Sequence, residues 1–326
     1  MQCKGCYKEV KDSYCLNCRK SMFDGLRTSP VLPFETPKDE NLISFQEHSK
    51  RLSISGVQLK YSLRLENKTL VLTEKGGEYI LKPIPPAQQL FHVDQVPENE
   101  HLTMQIAKQI FNIPTAENVL IHFQDGTPAY LTKRFDVAAD GTKYLQEDFA
   151  QLTSRTSKTH GETFKYQGSY EEIGVLIQKF VPASIIAAER FFHQVVFNYI
   201  FSNGDAHLKN FSLYRTQEGE YQLTPAYDLL TTVIHSPVES DTALDLYEGD
   251  LQSAFYSQYG FYGRPNFLEL AKRLLIQPSR AERILDSYPA AFEKVKRMVT
   301  NSFLNEAIKE KYISNVTDKM GRLAIA

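Results

Sequence analysis

The chain has 326 residues, of which 42% are hydrophobic, 12% aromatic and 23% charged, enough for about two domains with real cores and unlike any disordered, collagen-like or low-complexity polypeptide. Lys+Arg 37 against Asp+Glu 39 gives a net charge of -2, so no global basic field favours sequence-independent binding of nucleic acid.

All four cysteines, Cys3, Cys6, Cys15 and Cys18, fall at the N-terminal end. A secreted disulfide scaffold would spread them through the fold behind a signal segment, so a cytoplasmic location is expected. Two CxxC knuckles are the recurring device for holding zinc on four thiolates, with redox-active or unbound thiols as the alternatives. Gly5 and Asn17 supply turn-permissive residues inside the knuckles. The segment shows almost no core of its own, so metal should be its main stabiliser, by about 10–16 kcal/mol as in zinc-finger peptides. Residues 28–41, with Pro30, Pro33 and Pro37, read as a linker.

Short strands follow at 62–65, 69–73, 78–81, 118–123 and 129–134, with a turn at Gly76-Gly77. Between them Leu102, Ile106, Ala107 and Ile110 recur at helical spacing and predict a helix over 98–111. Helices are expected thereafter at 147–152, 169–181, 185–202, 265–276, 278–285 and 290–311. The apolar run 191–204 is too short to span a membrane, which needs about 20 residues, and reads as a buried helix. The expected architecture is α+β and bilobed. A knuckle segment and linker (1–40) precede a β-rich N-lobe with one helix (41–138) and an all-helical C-lobe (139–326), and the site lies in the cleft between lobes.

The strongest chemical signal is Gly204-Asp205-Ala206-His207-Leu208-Lys209-Asn210 followed by Tyr227-Asp228. Magnesium-dependent phosphoryl transfer needs these residue types: Asp205 as base, Lys209 against developing phosphoryl charge, Asn210 and Asp228 for the metal. Asp-x4-Asn is the spacing of a protein-kinase catalytic loop; an Asp/Asn-rich polar loop is the plainer alternative. Ser53-Ile54-Ser55-Gly56-Val57-Gln58-Leu59-Lys60 could cradle phosphates or be a simple strand-entry loop. Lys82 ends an apolar strand, where a lone Lys is usually just solvated, and Glu100 on the next helix is a possible ion-pair partner. His207 lies within the catalytic loop, where a structural hydrogen bond suits it better than proton transfer.

In this order the motifs resemble those of the HipA-like serine/threonine kinases of bacterial toxin-antitoxin modules: 53–60, Ile-Leu-Lys-Pro at 80–83, Glu-Asn-Glu-His at 98–101, Lys-Arg-Phe-Asp at 133–136, Gln-Glu-Asp at 146–148, 204–212 and 223–228. The resemblance implies a kinase-like fold using ATP and Mg2+ to phosphorylate a protein serine, family targets being aminoacyl-tRNA synthetases. It assigns Asp205 as catalytic base and Lys82 as the phosphate-binding Lys, with Asn210 and Asp228 holding Mg2+. Ser55, Gly56, Val57, Gln58 and Lys60 would form the phosphate loop, Lys133, Arg134 and Phe135 the adenine-reading hinge. His207 is grouped with the nucleotide-binding residues, and Ser53 and Ser55 are the candidates for autophosphorylation. Few residues precede the phosphate loop, so the layout is similar to the short HipT-type kinases of split modules. The expected partners are then a HipB-like helix-turn-helix antitoxin and a separate small protein replacing the N-terminal subdomain, with DNA contacted only through the antitoxin and no membrane. Ala206 stands where the family pattern has Gly. The resemblance does not predict the cysteines. The competing readings are a zinc-ribbon interaction or DNA-binding protein with an inactive kinase-like body, and a kinase of the same fold acting on a small molecule or RNA.

Overall fold

The computed structural model of the chain describes residues 1–37, 59–86, 90–138 and 141–325. The first cysteine pair leads to the second and into helix α1 (Leu16–Phe23), whose N-cap is Cys15, its Sγ accepting from the Cys18 amide. Strands β1 (Tyr61–Glu66), β2 (Thr69–Leu72), β3 (Tyr79–Pro83), β4 (Asn118–His122) and β5 (Pro128–Lys133) form one antiparallel sheet in the order β2-β1-β3-β5-β4. Asn67 and Lys68 turn β1 into β2 with φ of 47° and 69°, the left-handed pair that a two-residue hairpin demands. The predicted helix appears between β3 and β4 as α2 (Val96–Gln109), with Pro97 in its first turn, where the missing N–H costs nothing.

The N-terminal knuckle is no appendage. Cys3, Tyr14, Met22, Phe23 and Leu32 share one core with Tyr61, Leu63, Tyr79, Leu81, Val119 and Ile121 of the sheet. Tyr14 donates its hydroxyl to the Leu120 carbonyl at 2.9 Å, and the Leu120 amide donates to the Lys4 carbonyl at 2.8 Å. The segment thus has a core, borrowed from the sheet, contrary to the expectation of a segment with almost no core. Part of the expected linker also pairs with the sheet: His122 donates to the Pro30 carbonyl, Leu32 to His122 and Gln124 to Phe34 along the outer edge of β4. Edge strands expose unsatisfied backbone groups, and these residues cover them.

The C-terminal lobe is built on α3 (Tyr170–Phe180), α4 (Ser184–Ile200), α5 (Arg264–Arg273), α6 (Pro278–Thr300) and α7 (Glu306–Leu323). It is not all-helical. Strands β6 (Gln146–Asp148), β7 (Ser212–Arg215) and β8 (Tyr221–Leu223) make a small antiparallel sheet in that order, too short for periodicity to reveal. The expected break before Ala290 is also absent. Helix α6 runs through Pro289 because its stripe of Ala281, Leu285, Tyr288, Ala291, Val295 and Val299 is buried, and burial outweighs one lost backbone bond. The chain breaks instead near Asn305, whose side chain caps α7 through the Ile308 amide at 3.0 Å. Among the described residues no helix is long and apolar enough to cross a membrane.

Candidate active site

The hairpin β7–β8 joins the loop 204–210 to Asp228, so the two polar runs singled out in the sequence face one another where the lobes meet. From the N-lobe, β3 delivers Lys82 and α2 delivers Glu100. Lys82 Nζ donates to Glu100 Oε1 at 2.5 Å and also contacts Asp228 Oδ1 directly. Lys60 Nζ lies 3.7 Å from Asp228 Oδ2. Lys82 is 4% and Glu100 1% exposed. A buried charge persists only when paired, and here two lysines and two carboxylates balance. Burial works against the Lys82 charge, but Asp228 and Glu100 outweigh it and raise its pKa. Burial likewise opposes the Asp228 charge, and Lys60 and Lys82 overcome it, holding this carboxyl well below the usual range.

Asp228 occupies the left-handed region, with φ 55°. Its conformation is fixed from several sides. Asn203 Nδ2 donates to the Asp228 carbonyl at 3.3 Å, and Asn210 Nδ2 donates to Asp228 Oδ2 at 3.4 Å. The preceding Tyr227 stacks on Phe135 with ring centroids 5.7 Å apart, and its hydroxyl meets Ser212 Oγ at 2.5 Å and the Lys209 carbonyl at 3.0 Å. Thr232 Oγ1 accepts from the Gly204 amide at 2.8 Å, and Asn99 of α2 bonds both the amide and the carbonyl of Thr231.

Asp205 is nearly buried, and burial raises its pKa against the opposing pull of the Tyr166 hydroxyl, which donates to Asp205 Oδ1 at 2.5 Å. His207 Nε2 lies 3.7 Å from the same oxygen. Burial, with Lys165 nearby, pushes the His207 pKa down to about 3, so the ring is neutral, and it packs edge-on against Tyr166. Tyr166 and Lys165 were not anticipated: they lie in a run without periodicity, and only the fold brings them to Asp205. Asp148 ends the Gln-Glu-Asp motif at 146–148. It caps the short helix Phe149–Leu152 with Oδ1 and holds Lys209 Nζ at 2.6 Å with Oδ2.

Of the hinge residues, the Lys133 amide donates to the Glu117 carbonyl and the Arg134 amide to the Glu78 carbonyl, both at 2.8 Å. These two N–H groups therefore hold the sheet together. The Arg134 guanidinium forks onto Asp136 at 2.6 and 2.9 Å, and Lys133 Nζ reaches Asp24 at 2.8 Å. Ser53, Ser55, Gly56, Val57 and Gln58 lie outside the described residues.

Some way from the cleft, the Sγ atoms of Cys3, Cys6, Cys15 and Cys18 lie within 4.8 Å of one another. Gly5 and Cys15 donate backbone N–H groups to Cys3 Sγ at 3.4 and 3.1 Å. Four convergent sulfurs with amide donors around them are the donor set of a thiolate metal site.

A family model described as the HipA-like C-terminal domain matches residues 52–296. A Haemophilus influenzae protein provisionally named a kinase is 28% identical over 317 residues, 91% of this chain and 88% of its own. The serine/threonine-protein kinase toxin HipA of Shewanella oneidensis is 25% identical over 263 residues, 76% of this chain but only 58% of the toxin. Among solved structures, a chain from the Shewanella oneidensis complex of HipA, HipB and operator DNA aligns over 91% of this chain and 72% of its own, with a TM-score of 0.62 and 18% identity. At that identity the likeness is one of fold.

Proposed function

The chain belongs to the HipA-like kinase family, and on that premise we propose that it is an ATP- and Mg2+-dependent serine/threonine protein kinase, the toxin component of a toxin-antitoxin module. The observation that carries this reading is the meeting of Lys82, Glu100, Asp228, Asn210 and Asp205 from two lobes in one cleft. A folded protein without phosphoryl chemistry has no need of a buried lysine shared between two carboxylates beside a second, nearly buried Asp.

Lys82 would meet the nucleotide phosphates, its ammonium aimed by Glu100. Asp228 and Asn210 offer a carboxylate and an amide carbonyl, hard oxygen donors that suit Mg2+, and would hold it. A metal held by these two residues would supply positive charge to offset that of the nucleotide phosphates. Asp205 would accept the proton of a serine hydroxyl as the new O–P bond forms and the bond from the γ-phosphorus to the β–γ bridging oxygen breaks. Tyr166 occupies Oδ1 of that carboxylate, which leaves Oδ2 for the hydroxyl. Lys209, steadied by Asp148, would face the transferring phosphoryl group. Lys60 would join the phosphate loop, with Ser53 or Ser55 as the autophosphorylated residue. Lys133, Arg134 and Phe135 would flank the adenine, through Phe135 and the carbonyls since two amides are engaged in the sheet. His207 serves as a neutral brace.

The four cysteines would hold a structural Zn2+. The partners by this reading are a protein substrate such as an aminoacyl-tRNA synthetase, a HipB-like antitoxin that alone contacts DNA, and a separate small protein. The site of action would be the cytoplasm. Incubating the purified chain with labelled ATP, Mg2+ and cell extract should label a protein band that disappears with Asp205→Asn; no labelled protein, self or other, would count against the proposal.

A further inference from the structure

We infer that the four-thiolate knuckle is a metal-dependent clamp on the helix that carries Glu100, so that metal at Cys3, Cys6, Cys15 and Cys18 governs how firmly Lys82 is held for the nucleotide. The inference rests on the zinc and kinase readings above and adds a route from one site to the other.

Tyr7 follows the second cysteine directly and has φ 64°, a conformation uncommon for a bulky residue. The turn carries its ring away from the core that the knuckle shares with the sheet and into the larger core of the molecule. There it lies 5.1 Å from the His101 ring and 5.4 Å from Phe303. His101 is the neighbour of Glu100 on α2, is fully buried, and bonds Asn118 of β4 through Nδ1 at 2.9 Å. The Tyr7 hydroxyl is buried with no hydrogen-bond partner. A polar atom pays for such a position only when the surrounding structure enforces it, and what lies directly before it in the chain is the knuckle.

A second contact grips the same helix. Gln109 Nε2 donates to the Cys6 carbonyl at 3.3 Å. His101 and Gln109 stand eight residues apart, about 12 Å along the helix, so the first knuckle meets α2 at two heights. On its other side the knuckle is fastened to β4. Lys4 accepts from the Leu120 amide, and Gly5 sits so close to Cys18 and Val119 that a Cβ there would lie 2.7 Å from Cys18 Sγ and 3.1 Å from Val119 Cγ1. The cysteine cluster is therefore a bracket between sheet and helix, and no covalent bond closes it: all four cysteines are free. A tetrahedral ion bonded to four sulfurs would close it.

The test uses the full chain. Zinc content is measured by elemental mass spectrometry, and hydrogen exchange over residues 96–109 and Mg-ATP affinity are compared for the loaded protein, the chelator-stripped protein and Tyr7→Leu, which keeps apolar bulk and all four cysteines. We expect one zinc per chain in wild type and in Tyr7→Leu. Stripping should speed exchange in the helix and weaken Mg-ATP binding about tenfold. Tyr7→Leu should do the same while holding its zinc, and stripping it should add little. No zinc in the native protein would overturn the metal reading and the clamp together. Bound zinc, with helix exchange unchanged in Tyr7→Leu, would overturn the clamp alone, and this variant decides the matter if the stripped chain unfolds. Helix exchange is read without nucleotide, so failure of the kinase reading is distinguishable from failure of the clamp.

Discussion

Glu100→Gln keeps the shape of its side chain and removes one of the two carboxylates that share the Lys82 ammonium. Both partners are buried, and leaving a lysine alone in that interior would cost about 3–5 kcal/mol. It is not left alone: Asp228 remains in contact with Nζ, and the Gln carbonyl still accepts a hydrogen bond. Exchanging a charged acceptor for a neutral one should then cost about 1–2 kcal/mol, lowering the melting temperature of a 326-residue chain by roughly 1.5–3 °C. Nucleotide handling should suffer more. Without Glu100 the ammonium leans on Asp228, the carboxylate assigned to the metal, so KM for Mg-ATP should rise about tenfold, or about 1.4 kcal/mol, and kcat should fall with it. Melting curves and initial-rate kinetics on the purified variant measure both effects. Global unfolding would show that Asp228 does not share the lysine, and unchanged KM and kcat would show that Lys82 is not a nucleotide ligand.

Three further outcomes are expected. Burial raises the Glu98 carboxyl to about 7, and its Oε2 has no hydrogen-bond partner, whereas an unfolded Glu titrates near about 4.3. Between those values the folded chain keeps a proton that the unfolded chain has lost, so this residue makes stability fall as pH rises from about 4 to about 7 and level off above. Glu98→Gln should remove that contribution, which denaturant melts at about pH 5 and about pH 8 would show, and identical differences between those two pH values in variant and wild type would contradict it. Tyr166→Phe deletes the bond that opposes the raised pKa of Asp205. The acid limb of the kcat/KM profile should therefore move to higher pH, and an unmoved limb would remove Asp205 as the titrating base. Gly5→Ala places a methyl 2.7 Å from Cys18 Sγ and should lower both metal content and stability, the latter by about 1–3 kcal/mol as for other overpacked sites; a variant with full zinc and unchanged melting would refute the close packing there.

Much of this was legible in the residues. The five strands of the large sheet and α2 follow from alternation and helical spacing, and the loop 204–210 and Asp228 were singled out as a candidate site from residue types at kinase-like spacing, which the fold brings together. The Lys82–Glu100 pair was named from the order of strand and helix, and the structure places the two side chains in contact. What escaped was what only folding creates. Tyr166 meets Asp205 across 39 residues of chain, and no local pattern marks it. Strands β6 and β8 have three residues each, below the length at which alternation can be counted. The knuckle's core was invisible because Tyr7, Tyr14 and Phe23 are isolated aromatics among polar residues. They become a core only against the sheet and α2, which lie far along the chain.

In the proposed reaction Asp205 directs transfer of the γ-phosphoryl group to a serine. The most direct test of that role is phosphopeptide mapping of the full chain after incubation with Mg-ATP, alongside Asp205→Asn. Phosphate is expected on the peptide bearing Ser53 and Ser55 in the wild type and none in a variant that still binds Mg-ATP. Phosphate at undiminished level in Asp205→Asn, or a wild type that binds Mg-ATP and transfers nothing to itself or to any protein, would contradict it.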